Sequence, residues 1–168
     1  NVTNPAHPTP LVEGLGDSTV NGQGKKDANE IHSVFAWDAG DKAYAVIVDN
    51  EEGHDVDIID ITDPKKAKLV AEYDLDLLFP QILQTTPANL VEMFDHDVIV
   101  KQIGTRFVMS VSYWDAGYVL LDMTNPLVPG YIGDSDFPDP DTEPLESGFT
   151  VAPEGNAHQS EFTLDDVL

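Results

Sequence analysis

The chain has 168 residues, of which 31 are Asp or Glu and only 8 are Lys or Arg, so its formal net charge is −23. This acidity argues against nucleic acid and anionic membranes as partners, because both are bound by clustered basic side chains. The absence of cysteine excludes disulfides and thiolate metal sites. The apolar content of 41% indicates a folded chain, and no apolar stretch reaches the ~18 residues of a membrane-spanning helix.

A short pattern recurs three times along the chain, and we call it the signature. It reads NVTNP at 1–5, DITDP at 60–64 and DMTNP at 122–126, with steps of 59 and 62 residues between the prolines (64 − 5 and 126 − 64). Three histidines recur in phase with it, at steps of 64 and 62 residues (96 − 32 and 158 − 96). Such spacing predicts a repeated structural unit.

The first part of the chain divides at the first of these histidines. Residues 1–31 are predicted to be the end of a preceding unit plus a Gly-rich connector. Residues 32–95 are predicted to be one full unit with its connector, in which an apolar run at 75–83 favours a helical turn. β-Branched and aromatic runs bounded by Gly, Pro, Asn and Asp predict the strands of this unit. They lie at 32–37, 43–48, 56–61 and 69–73.

The second part of the chain repeats this plan. Residues 96–157 are predicted to be a second full unit, and residues 158–168 the first strand of the next one. The connector at 134–157 is acidic and rich in turn residues, which favours an irregular surface loop. The predicted strands of the second unit lie at 96–103, 106–112, 118–123 and 130–133.

Four short strands in each unit are typical of a β-propeller blade. We therefore predict an all-β chain: a β-propeller fragment with two complete four-stranded blades flanked by partial blades. A propeller closes with about 4–8 blades. The expected partners are accordingly the remaining blades, on missing sequence or on another chain.

Three runs of the sequence resemble the LVIVD repeat: YAVIVD at 44–49, VDIIDITDP at 56–64 and SYWDAGYVLLDMTNP at 112–126. This repeat belongs to predicted β-propellers of bacterial and archaeal cell-surface and secreted proteins. The resemblance implies a propeller and an extracellular or cell-surface location. It implies no particular reaction, because a fold does not fix a function.

Several functions are compatible with this architecture. The leading hypothesis is a non-catalytic extracellular or cell-surface propeller module for binding or assembly. One alternative is a metal-dependent enzyme with a histidine-lined centre at the mouth of the propeller channel, and another is a structural component of a surface layer or filament. The sequence contains no G-x-S-x-G, no H-E-x-x-H and no phosphate-binding glycine loop, which favours the non-catalytic hypothesis.

The phased histidines His32, His96 and His158 are the candidate metal ligands. The first strand of each propeller blade lines the channel, so three histidines at the starts of consecutive first strands are expected to converge. Imidazoles suit zinc and other divalent transition metals, and Asp97 and Glu161 could orient or complete such a site. In the alternative interpretation each histidine caps its strand and hydrogen-bonds the backbone of the neighbouring blade.

A second candidate cation site is an acidic cluster in the connector after the second unit. Its oxygen ligands suit calcium, but the spacing is not that of an EF-hand and two prolines intervene, so a solvated loop is favoured. The cluster consists of Asp134, Asp136, Asp139, Asp141 and Glu143.

Overall fold

The described part of the computed structural model contains two four-stranded antiparallel sheets and little helix, and neither sheet is closed. No helix in the part of the chain that the structure describes is long and apolar enough to cross a membrane. The described residues are 1–13, 15, 31–49, 56–84, 90, 92–137 and 155–164.

Each sheet is formed by consecutive strands that pair in chain order, as the sequence predicts. The first sheet contains β1 (Ile31–Asp38), β2 (Ala43–Asp49), β3 (Val56–Asp60) and β4 (Lys68–Tyr73). The second contains β5 (Asp97–Ile103), β6 (Arg106–Ser112), β7 (Tyr118–Asp122) and β8 (Gly130–Asp134). Between them, the predicted helical turn is present as α1 (Leu75–Leu78), followed by a 3-10 turn at Pro80–Ile82.

The two sheets repeat one another in an irregular detail. The pairing of β3 with β4 shifts register between Ile58 and Ile59, and that of β7 with β8 shifts between Leu120 and Leu121, 62 positions later. A bulge of this kind bends the strand and increases its twist. The outer strand pair of both sheets is therefore shaped in the same way.

The signature satisfies backbone groups at the end of the third strand in both units. The Asp60 carboxylate accepts the N–H of Thr62 at 3.0 Å, and Asp122 accepts that of Thr124 at 2.9 Å. Hydrogen bonds from the threonine hydroxyl and amide lower the pKa of both carboxyl groups. At Asp60 the Lys42 ammonium, 2.9 Å away, lowers the pKa further.

The second half of the signature is a tight turn in all three copies. The carbonyl before each proline accepts an N–H three residues later, and the Asn or Asp side chain accepts a second one. The carbonyl pairs are Asn4 with His7 at 3.0 Å, Asp63 with Lys66 at 2.8 Å, and Asn125 with Val128 at 3.0 Å. The side-chain pairs are Asn4 with Ala6, Asp63 with Lys65, and Asn125 with Leu127.

The main hydrophobic core lies between the two sheets. Alternation along β2 sends Val46 and Val48 towards the second sheet, whereas Ala45 and Ile47 belong to a smaller cluster on the opposite face. The second sheet presents its own apolar residues to the same core. These are Val98, Val100, Met109, Val111, Val119 and Leu121.

A hydrogen bond also joins the two units across this core. The hydroxyl of Tyr73, at the end of β4, donates to the carbonyl of Pro126 in the second unit's signature. Tyr73 is only 8% exposed, and burial raises its pKa well above the usual value. The signature of one unit is thus part of the packing against the other.

Candidate functional site

The three phased histidines lie together in a row. The ring centroids of His32 and His96 are 4.2 Å apart, and those of His96 and His158 are 4.1 Å apart. The Nε2 atoms of His32 and His96 face each other at 2.9 Å. The convergence that the repeat phase predicts is therefore present.

Equivalent backbone positions bring the first two histidines together. His32 lies near the start of β1, and His96 immediately precedes β5. The N–H of His96 donates to the carbonyl of Ser112 at 2.9 Å, which continues the pairing of β5 with β6. Both histidines thus stand at the beginning of the first strand of a sheet.

His158 is positioned by the turn that follows β6. The N–H of Ala157 donates to the carbonyl of Trp114 at 2.9 Å, in an isolated antiparallel bridge. The buried carboxylate of Asp115 accepts the N–H of Glu92 at 2.9 Å and that of Asn156 at 3.3 Å. One turn therefore holds the segments that lead to His96 and to His158.

Residues 158–163 contact the second sheet at positions one repeat apart, as the first strands of the two sheets contact each other. The Ser33 hydroxyl donates to the Asp97 carboxylate, 64 positions away, beside the His32–His96 pair. The Lys101 ammonium donates to the carbonyl of Thr163 at 2.6 Å, 62 positions away. Within 155–164 the one regular pairing is the bridge at Ala157, and no strand is formed there.

The hydrogen bonds of His96 define its tautomer. Its Nδ1 lies 2.9 Å from the carbonyl oxygen of His158, and because a carbonyl only accepts, Nδ1 carries the hydrogen. Partial burial lowers the pKa of His96, an effect strengthened by His158 and His32 and opposed by the backbone hydrogen bond and Asp97. A lowered pKa favours the neutral ring, in which, with the hydrogen on Nδ1, the lone pair of Nε2 is directed at His32.

Aromatic rings close one side of the histidine row. Trp114 stacks on His96, with centroids 4.9 Å apart, and Phe94 stacks on Trp114 at the same distance. The sequence predicts no role at the site for either ring. Trp114 has a positive φ of 29°, and its carbonyl accepts the N–H of Ala157, so the residue that stacks on His96 also contacts the segment that leads to His158.

A cavity of about 230 Å³ lies among these residues. We call it the histidine basin. Ser33 and Gln159 are site residues that the sequence analysis missed, and their signal was their place directly after a phased histidine. The basin is lined by His32, Ser33, His96, Asp97, His158 and Gln159.

In the geometry of the described residues, no three His, Asp or Glu side chains are arranged to hold a metal ion. The metal role of His32, His96 and His158 stays a prediction, as does that of Asp97, whose carboxylate accepts from Ser33.

The acidic cluster is separate from the basin. Asp134 accepts a hydrogen bond from the hydroxyl of Tyr131, which raises the pKa of Tyr131 to about 12. Asp136 is exposed, whereas Asp139, Asp141 and Glu143 lie outside the described residues.

Comparison with models of known protein families, with curated proteins and with solved structures gave no match.

Proposed function

We propose that this chain is part of a β-propeller of the LVIVD-repeat kind, located outside the cell or on its surface, and that it is a non-catalytic module for binding and assembly. The observation that carries the proposal is an open apolar face on the second sheet. The equivalent face of the first sheet packs against the second sheet.

The two faces correspond residue by residue. Val46 of β2 and Ile58 of β3 are fully buried against the second sheet. Their equivalents are Ser110, 64 positions later in β6, and Leu120, 62 positions later in β7. The residues that the first sheet packs against its neighbour thus correspond to residues that line a groove on the second sheet.

This groove has a volume of about 440 Å³ and a largely apolar lining. Tyr118 and Ile132, which flank it, are 38% and 40% exposed. Along one edge lies the segment 159–161, where the hydroxyls of Ser110 and Ser160 are 2.8 Å apart. The groove therefore combines a sheet face with the segment that follows His158.

We infer that the occupant of this groove is a four-stranded unit of the same kind, supplied by a second copy of this chain. The first interface shows what such a unit does: it packs one sheet face on the next and sets consecutive first strands side by side. His158 and Thr163 already contact the residues 62 positions earlier, which are His96 immediately before β5 and Lys101 within it. A further unit packed against this segment would continue the established interface.

Sedimentation velocity over a range of concentrations, with EDTA present, tests this proposal on the 168-residue chain. We expect self-association through the open face, and Ile132→Lys should weaken it at least tenfold. Leu77→Lys is the matched control, because Leu77 is 78% exposed on α1 and the substitution changes the net charge equally. A wild-type chain that stays monomeric, or equal effects of the two variants, would contradict the proposal.

A further inference from the structure

We propose that the histidine basin binds one divalent transition-metal ion through Nε2 of His32 and Nε2 of His96, and that the ring of His158, which is not placed as a ligand in the described geometry, turns to supply a third imidazole. This binding activity is separate from assembly, since the basin and the open groove have different linings apart from Gln159.

The distance between the two Nε2 atoms suits a shared ion. Zinc–imidazole bonds are about 2.0–2.1 Å long, so two of them at a right angle place the nitrogens about 2.9 Å apart, and at a tetrahedral angle about 3.4 Å. The observed separation is 2.9 Å. The pair therefore needs to open by no more than about 0.5 Å to reach either geometry.

The second nitrogen of His96 is bound in the way that metal-binding histidines require. A metal-bound imidazole usually donates its other N–H to a carbonyl or carboxylate, which fixes the tautomer and the ring orientation. Nδ1 of His96 makes this bond to the carbonyl of His158. A backbone-capping role accounts for Nδ1 only, and leaves unexplained why Nε2 meets a second imidazole inside a cavity.

The third ligand has to come from a side chain that can turn. The ring of His158 lies 4.1 Å from that of His96, and both His158 and His32 are exposed at the basin rim. A cavity of about 230 Å³ leaves room for the ion with water in its remaining positions, at about 30 Å³ for each water. Asp97, held by Ser33, would act as an orienting carboxylate.

The donor atoms identify the class of ion. Neutral imidazole suits zinc, copper and nickel, whereas calcium and magnesium prefer oxygen ligands. The chain offers no thiolate, so a soft-metal site is disfavoured. We therefore expect binding of Zn²⁺ and Cu²⁺ and none of Ca²⁺ at the basin.

Isothermal titration of the whole chain with Zn²⁺ tests the site, and Cu²⁺ provides a second readout by quenching the fluorescence of Trp114, which stacks on His96. We expect one ion per chain. His32→Ala and His96→Ala should each weaken binding at least about tenfold, the lower end of the loss caused by removing even an outer-shell partner. His7→Ala is the matched control, because His7 is exposed and does not line the basin.

Circular dichroism establishes whether each variant is folded. If His96→Ala is unfolded, His32→Ala alone tests the site. The proposal is wrong if the wild-type chain takes up no Zn²⁺, if His32→Ala binds as tightly as wild type, or if His7→Ala loses as much affinity. Ile132→Lys separates the two proposals: it should lose self-association and keep the ion.

Discussion

Substituting Tyr73 by Phe tests whether the signature of one unit stabilises the neighbouring unit. The Tyr73 hydroxyl donates to the carbonyl of Pro126, on the far side of the core between the sheets. Phe keeps the ring, and therefore the hydrophobic packing of a residue that is 8% exposed. The variant removes one oxygen atom and one hydrogen bond.

The expected loss of stability in Tyr73→Phe depends on whether the carbonyl of Pro126 keeps a hydrogen-bond partner. A hydrogen bond contributes about 0.5–1.5 kcal/mol net, but a buried acceptor left unsatisfied costs about 1–3 kcal/mol. Because the bond lies in a buried environment, we expect Tyr73→Phe to lower the free energy of unfolding by about 1–3 kcal/mol. That is a sizeable fraction of the 5–15 kcal/mol typical of a domain.

Urea unfolding at pH 7, followed by circular dichroism, measures this loss. The control is Tyr118→Phe, because Tyr118 is 38% exposed on the open face and water can replace a partner of its hydroxyl. The reasoning also predicts a pH dependence. Burial raises the pKa of Tyr73, so its contribution to stability is complete below about pH 10 and is lost as the pH rises towards the folded value.

Two results would refute the reasoning about Tyr73. One is a Tyr73→Phe variant as stable as Tyr118→Phe at pH 7, which would mean that the bond across the core contributes nothing. The other is an identical loss of stability above pH 10 in the wild type and in Tyr73→Phe, which would place the responsible group elsewhere.

Two further predictions concern a turn and a helix end. Gly117→Ala should destabilise the chain by about 1–3 kcal/mol more than Gly104→Ala. Both glycines have a positive φ, of 83° and 61°, so the backbone strain is similar in the two variants. A Cβ at Gly117 would lie 2.1 Å from the carbonyl oxygen of Ser135, whereas a Cβ at Gly104 would meet nothing within 4 Å. Equal losses in urea unfolding would show that the turn after β6 relaxes. Asp76→Asn should flatten the pH dependence of stability between pH 4 and pH 7, since a hydrogen bond with Asp74, burial and repulsion by Asp74 raise the pKa of Asp76 to about 6. A raised carboxyl pKa gives stability that is present below about pH 4 and lost as the pH rises through about 6. Urea midpoints at pH 4, 5, 6 and 7 check this against Asp41→Asn, an exposed control with the same charge change, and an unchanged slope would contradict it.

The strands were predictable because their signals are local. The run at 106–112 is rich in apolar residues and is bounded by turn residues. It is found as β6, with Met109 and Val111 in the core. The shared bulge at Ile58 and Leu120 was not predictable, because it depends on how two strands pair and not on either strand alone.

The candidate site was also predictable only in part. Phase alone placed His32, His96 and His158 together, because equivalent positions of packed units are neighbours in space. The part played by Asp115 could not be read from the sequence, since its partners Glu92 and Asn156 are 23 and 41 positions away. Such contacts are known only once the sheets are packed.

Residues that recur in phase can do so for two different reasons, and the location of their partners separates them. The Asp carboxylates that open the signature are satisfied inside their own unit: Asp60 by Thr62 and Lys42, and Asp122 by Thr124. Local backbone geometry is then sufficient to explain why the pattern repeats. The histidines differ, since the polar contacts of their rings cross from one unit to the next.

Contacts across units are consistent with a purely structural role as long as they end on backbone, and the bond from Nδ1 of His96 to the carbonyl of His158 does so. The contact between Nε2 of His96 and Nε2 of His32 ends on a second titratable ring inside a cavity. Neutral imidazole offers only one donor, so this pair is satisfied either by a single hydrogen bond or by an ion that takes both lone pairs. Because Nδ1 already anchors the ring, the backbone of neither unit requires the second contact, which is why the histidine basin is the place to look for a ligand.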